Sequence, residues 1–174
     1  MRSRMIATAA VAAAFVVLPA SSAFAGSGPV APPSERTAAG STAPSPEGNP
    51  LSAKAKAAEV CDDARQIGTT GYVKRGGETI ASVKQFYSAE CKENYSYVWL
   101  WDSFVDKQDD YDVTASVYSY SQDKQLGTVT WPVDNGQEYW SEGAATASEC
   151  TAAVGTVRPV GTASPLTGQS DKRC

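Results

Sequence analysis

The chain has 174 residues, with four cysteines, no histidine, and 15 basic against 19 acidic side chains. The acidic balance argues against nucleic acid and anionic membranes as partners, because both attract basic surfaces. Without histidine, neither a Ser-His-Asp nor a Cys-His mechanism can operate.

The first 25 residues have the pattern of a cleavable signal peptide. Arg2 and Arg4 precede an apolar stretch over 6–18, and residues 23–25 (Ala-Phe-Ala) supply a cleavage site. The apolar stretch is shorter than the roughly 20 residues that a membrane-spanning helix needs. We therefore expect a secreted protein beginning at Gly26, and a retained signal anchor is the alternative. Removing Arg2 and Arg4 leaves 13 basic against 19 acidic residues, a net charge of −6.

Residues 26–50 form a low-complexity segment. They are mostly glycine, serine, alanine, proline and threonine, a composition with too little apolar surface to offset the entropy of ordering. The segment is predicted to be a disordered tether. It is either a neutral spacer or an extended arm that becomes ordered on a partner.

The four cysteines predict two disulfides, because thiols outside the cell are usually oxidised. Three pairings are possible, and proximity in sequence favours Cys61 with Cys91 and Cys150 with Cys174. A zinc site is not expected, since the chain has neither a C-x-x-C pair nor a histidine. No metal or other cofactor is predicted.

Residues 51–174 are predicted to form one small all-β domain. A short helix or turn is expected within 51–65, and β-branched and aromatic residues then recur in short runs separated by turn residues. Such spacing is typical of an antiparallel sandwich or a partly open barrel. The predicted strands are 72–74, 79–87, 95–105, 111–120, 128–133 and, more weakly, 152–157.

The segment 95–101 carries alternating aromatic residues. Tyr95, Tyr97, Trp99 and Trp101 share one face of a strand, and Val98 points to the other. If the aliphatic side packs inward, the aromatic row is exposed and offers a contact surface for a sugar or a protein. If the aromatic side packs inward, or both faces are covered, the row is core, which we favour.

A second aromatic group lies beyond the next hairpin. Trp131 falls in a predicted strand, whereas Tyr139 and Trp140 follow the turn residues Asn135 and Gly136. A position close to a turn favours exposure of these two more than of Trp99. The candidate contact residues for a ligand or partner are Trp99, Trp101, Trp131, Tyr139 and Trp140.

Acidic residues offer two further hypotheses. The run from Asp102 to Asp112 has carboxylates that suit calcium, but its spacing does not match an EF-hand, and a solvated turn is favoured. A glycosidase needs two facing carboxyl groups, which spacing alone cannot establish for Glu78, Glu90 or Glu93. No P-loop or dinucleotide-binding motif is present in the sequence. We therefore predict no catalytic residue.

The segment 83–99, VKQFYSAECKENYSYVW, resembles an uncharacterised family of small secreted proteins of Gram-positive bacteria. Tyr87, Ser88 and Cys91 match that family's Tyr-Ser-x-x-Cys motif, while Tyr95 stands where the family has tryptophan. The resemblance implies a disulfide-bonded all-β domain without a known catalytic residue. The layout of signal, extended arm and compact domain is also similar to the adaptor subunits of umbrella-shaped secreted toxin particles, whose arm docks into a larger subunit.

These patterns favour a secreted, non-catalytic adaptor that binds another protein. One alternative is a carbohydrate-binding module that uses Trp131, Tyr139 and Trp140. Another is an inhibitor of a secreted protease, with a rigid loop near Cys91 or Cys150.

Overall fold

The computed structural model describes residues 40–174, so the predicted signal peptide and residues 26–39 of the predicted tether lie outside the described residues. Strands dominate this part of the chain, as its β-branched and aromatic runs predict. The elements are α1 (Ala53–Ala57), β1 (Arg65–Arg75), β2 (Glu78–Ser88), β3 (Glu93–Leu100), α2 (Asp102–Val105), β4 (Tyr111–Ser119), β5 (Lys124–Asp134), β6 (Glu138–Trp140), β7 (Thr151–Pro159) and β8 (Leu166–Gln169).

The strands form two antiparallel four-stranded sheets. The front sheet has the order β1-β2-β3-β6, and the back sheet has the order β5-β4-β7-β8. The chain leaves the front sheet after β3, returns for β6 and crosses again to β7, so the sheets are not a simple meander. The prediction of a small all-β sandwich is confirmed.

The main core lies between the two sheets. Along β4, Tyr111, Val113, Ala115 and Val117 are fully buried at every second position, as the two-residue period of a strand requires. Tyr111, Val113 and Ala115 meet inward-facing aliphatic residues of the front sheet, of which Val98 is one. The β4 strand, which was predicted over 111–120, therefore has one face in the core.

A second apolar cluster covers part of the outer face of the front sheet. Phe86, Tyr97 and Trp140 point away from the main core and pack beneath Ala55 of helix α1. The Ser52 hydroxyl caps this five-residue helix by accepting the Ala55 N–H at 3.0 Å. The β3 strand is thus covered on both faces where Tyr97 lies.

The two disulfides join Cys61 to Cys91 and Cys150 to Cys174, as predicted. The first fixes the segment after α1 to the turn between β2 and β3. The second fixes the C-terminus to the residue before β7. Both lie on connections outside the two sheets.

The last residues of the predicted tether contact the domain. The Tyr97 hydroxyl donates to the Ser45 carbonyl at 2.6 Å, and Asn49 is buried with its side-chain amide bonded to two carbonyls at 2.8 Å. A Cβ on Gly48, whose φ is +90°, would lie 2.4 Å from the Phe86 ring, so this close approach requires glycine. Residues 45–50 therefore belong to the covering layer of the front sheet.

Several boundaries differ from the prediction. Strand β3 ends at Leu100, and the next residues form α2, because the Trp101 carbonyl accepts the N–H groups of Phe104 and Val105. Short strands β6 and β8 were not predicted. Within residues 40–174 no helix is long and apolar enough to cross a membrane.

Candidate functional site

A surface groove lies on the part of the front sheet that α1 leaves uncovered. It has a volume of about 460 Å³ and a floor formed by Tyr72, Ser82 and Trp99, which are paired side by side on β1, β2 and β3. Trp101 stands at one end of this floor. We call this surface the aromatic groove.

Two aromatic side chains of the groove are exposed. Tyr72 is 48% exposed and Trp101 is 41% exposed, although most large apolar side chains of the described part are buried. Their rings meet edge to face, with centroids 6.3 Å apart and planes at 79°. Exposed aromatic rings that meet in a groove mark a contact surface more strongly than scattered ones.

Backbone hydrogen bonds hold both residues in place. The Trp101 N–H donates to the Ile80 carbonyl at 3.0 Å, and the Trp101 carbonyl begins helix α2. Tyr72 lies within the β1–β2 ladder opposite Ser82. The groove is consequently built on strands rather than on a free loop, which limits the entropy lost on binding.

The walls of the groove carry charges of both signs. Pro46 and Glu47 form one wall, Asp102 and Ser103 line another, and Lys84 lines the floor. The surface thus has an aromatic centre and a polar rim, the arrangement of many protein interfaces.

The candidate contact residues separate into two places. Trp99 and Trp101 lie in the aromatic groove. Trp131, Tyr139 and Trp140 line a smaller pocket of about 230 Å³ between α1, β5 and β6. Tyr72 completes the first group and was not among the sequence candidates. The sequence around Tyr72 showed only an aromatic residue between glycine-containing turns.

The expected exposure of Tyr139 and Trp140 is wrong. Both are 1% exposed, whereas Trp99 is half-buried. The reason is that β6 pairs with β3 inside the fold, opposite Val98 and Tyr97, instead of continuing the preceding turn. Burial, with help from the neighbouring phenol of Tyr111 and the Asp134 carboxylate, raises the pKa of the Tyr139 hydroxyl well above its usual range.

The acidic run after β3 is dispersed by the fold. Asp102 accepts from Gln137, and Asp112 forms an ion pair with Arg158. A bond from the Val133 N–H, followed by the Arg158 guanidinium, holds the pKa of Asp112 below its usual range. Among residues 40–174, no group of three or more acidic or cysteine side chains is arranged to hold a metal ion.

Comparison with known proteins gave no match to a protein-family model, a curated protein or a solved structure. The resemblance of residues 83–99 to small secreted proteins of Gram-positive bacteria therefore stays a prediction. The functional argument has to come from the sites themselves.

Proposed function

We propose that this protein is a secreted, non-catalytic binding domain that recruits another protein through the aromatic groove. The observation that carries the proposal is the contacting pair Tyr72 and Trp101, which is exposed where β1 meets the junction of β3 and α2 and has charged residues around it. Tryptophan and tyrosine supply a large share of binding energy in protein interfaces, because they bury much area with few rotatable bonds.

Ring geometry favours a protein over a polysaccharide. Sugar rings stack on aromatic faces that lie open and roughly parallel, whereas Tyr72 and Trp101 meet at 79° and form a corner. Such a corner suits an apolar or aromatic side chain projecting from a folded partner. Glu47 and Asp102 around it offer carboxylate oxygens as hydrogen-bond acceptors to the partner's main chain and polar side chains.

The N-terminal segment supports an adaptor role. Pro46 and Glu47 form a wall of the groove, so the chain that precedes them enters the domain beside the proposed contact surface. The proline- and alanine-rich residues 26–39 are proposed as a second contact, in line with the arm of the secreted toxin adaptors that the layout resembles. The signal peptide and the two disulfides support an extracellular location for such a complex.

Affinity purification of the tagged protein from the native culture medium tests this proposal. We expect Trp101→Ala to weaken partner capture by roughly 30-fold, the effect of about 2 kcal/mol at an interface hot spot. The matched control is Tyr120→Ala, because Tyr120 is 38% exposed and lies outside the groove. Equal capture by Trp101→Ala and wild type at matched stability would refute the groove as the contact.

A carbohydrate-binding module is the second candidate, since a groove with Trp99 and Trp101 can also hold a sugar. Its use of Tyr139 and Trp140 as a sugar platform is set aside because both side chains are buried. Glycan-array binding that Trp101→Ala abolishes, together with unchanged protein capture, would favour this candidate.

Deletion of residues 26–39 tests the arm separately. The deletion should stop before residue 40, because Ser45 accepts a hydrogen bond from Tyr97 of the domain and the buried Asn49 bonds to Ser41 and Ala43, so losing these residues would disturb the fold. We expect the truncated protein to melt like wild type and to capture less partner. Unchanged capture would leave the segment as a spacer.

A further inference from the structure

The pocket between α1, β5 and β6 contains an acidic group with no charged partner. Glu138 is only 5% exposed, and it accepts hydrogen bonds from the Ser52 hydroxyl at 2.7 Å and from the Trp140 indole at 2.9 Å. Both donors are neutral. Among residues 40–174, Glu138 forms no ion pair.

The two oxygens of this carboxylate differ in their surroundings. Both hydrogen bonds end on Oε1, and no described residue donates to Oε2. Among the described residues, Gln85 Oε1 is the one side-chain oxygen that is sealed from solvent and has no hydrogen-bond partner, so Glu138 Oε2 keeps some contact with solvent. Glu138 lines the pocket, which makes Oε2 the oxygen open to a ligand there.

A half-buried aromatic ring borders the same space. Trp131 lines the pocket, and its ring packs against the buried ring of Tyr139, with centroids 5.0 Å apart and planes at 59°. Aromatic faces attract cations, and this attraction grows when the cation is removed from water. A carboxylate beside the Trp131 ring is therefore suited to an organic cation.

The charge around the pocket supports the same class of ligand. Glu142 lies at its rim, and an adjoining depression that shares Glu142 is also lined by Glu59 and Glu93. Lys54 is the cationic side chain of the rim, and it is exposed. The acidic groups outnumber it, so the local potential attracts positive charge.

We infer that this pocket binds an alkylammonium group, such as the end of a lysine side chain or a methylated amine. The ammonium would lie against Glu138 Oε2, and its methylene groups would contact Trp131. A volume of about 230 Å³ equals seven or eight water molecules at about 30 Å³ each, which is enough for such a group. The site is separate from the aromatic groove and does not depend on it.

NMR titration of the mature protein tests this inference, with the indole N–H of Trp140 as the reporter because it bonds to Glu138. The probes are Nα-acetyl-lysine methylamide, tetramethylammonium, and the neutral Nα,Nε-diacetyl-lysine methylamide. We expect saturable shifts with the two cations, at dissociation constants on the order of 1 mM, and none with the neutral probe. Tighter binding of the lysine probe identifies a primary amine as the ligand, and tighter binding of tetramethylammonium identifies a methylated one.

Three variants complete the test. Glu138→Gln keeps the size of the side chain and should weaken cation binding at least tenfold. Lys54→Gln should strengthen it several-fold by removing a like charge from the rim. Glu142→Gln, at an exposed position, should weaken it two- to fivefold and decides the matter if Glu138→Gln does not fold. Equal shifts with the neutral probe, or unchanged affinity in both glutamate variants, would overturn the inference.

Discussion

Gly155 of β7 offers a sharp test of the packing between the two sheets. A Cβ at this position would lie 2.6 Å from Val98 Cγ2 and 2.8 Å from Val83 Cγ2. Both valines are fully buried, and a β-branched side chain has little rotamer freedom with which to retreat. The substitution Gly155→Ala must therefore push the two sheets apart or force the two valine side chains out of their preferred positions.

Two opposing contributions decide whether Gly155→Ala raises or lowers the free energy of unfolding. Overpacking a core by one methyl group costs about 1–3 kcal/mol. Replacing glycine by alanine in a strand returns about 0.5–1 kcal/mol, because the unfolded chain loses less entropy. We expect Gly155→Ala to lower the free energy of unfolding by about 1–2 kcal/mol, or the melting temperature by about 4–8 °C for a domain of this size.

Urea denaturation followed by circular dichroism, with the disulfides intact, measures this free energy. The control is the double variant with Val98→Ala, which removes the clashing methyl group. We expect Val98→Ala to cost less in the Gly155→Ala background than in wild type, with a coupling of about 1 kcal/mol. A Gly155→Ala protein as stable as wild type, or additive effects, would refute the described packing.

Two further predictions concern the connections outside the sheets. The Asp63 carboxylate accepts from the Ser88 hydroxyl and from the N–H groups of residues 89 and 90, and these bonds lower its pKa below the ordinary value of 3.8. The contribution of this carboxylate to stability is therefore present above pH 3.8 and is lost as the pH falls below that value. In acid titrations followed by fluorescence, Asp63→Asn should lose stability less steeply than wild type. Replacing both Cys150 and Cys174 by serine opens a loop of sequence separation 24 and should lower the free energy of unfolding by about 2–4 kcal/mol. Urea denaturation measures this change, and an unchanged midpoint would contradict a stabilising role.

The strands were predictable where one face is polar and the other is core. The β4 strand shows this alternation clearly, and its bounds match the predicted run within one residue. The β8 strand was not predicted, because Leu166 to Gln169 are short and rich in polar residues, and their pairing with β7 depends on tertiary contacts. Pairing of the cysteines by proximity in sequence was correct.

The candidate sites show what local pattern cannot determine. Alternation placed Tyr97 and Trp99 on one face, but it carries no information about which part of that face is covered. The cover comes from Ala55 and from residues 45–50, which are distant in sequence and were predicted to lie in or beside a tether. The outer face is therefore buried at Tyr97 and open at Trp101.

Glu138 was overlooked for a related reason. An acidic residue next to a turn is normally solvated. Its burial depends on the Ser52 cap of α1, which lies 86 positions earlier in the chain. The pairing of β6 with β3 brings the two together, and the sequence around Glu138 contains no sign of this contact.

The central claim is that the aromatic groove contacts a protein, and site-specific photocrosslinking in the culture medium tests it most directly. Benzoylphenylalanine would replace Tyr72 in the groove and, as a control, Tyr120 in the turn after β4 of the back sheet. We predict one dominant protein adduct from position 72 that is absent from position 120 and is lost when Trp101→Ala is added. No protein adduct from position 72, or the same adducts from both positions, would contradict the claim.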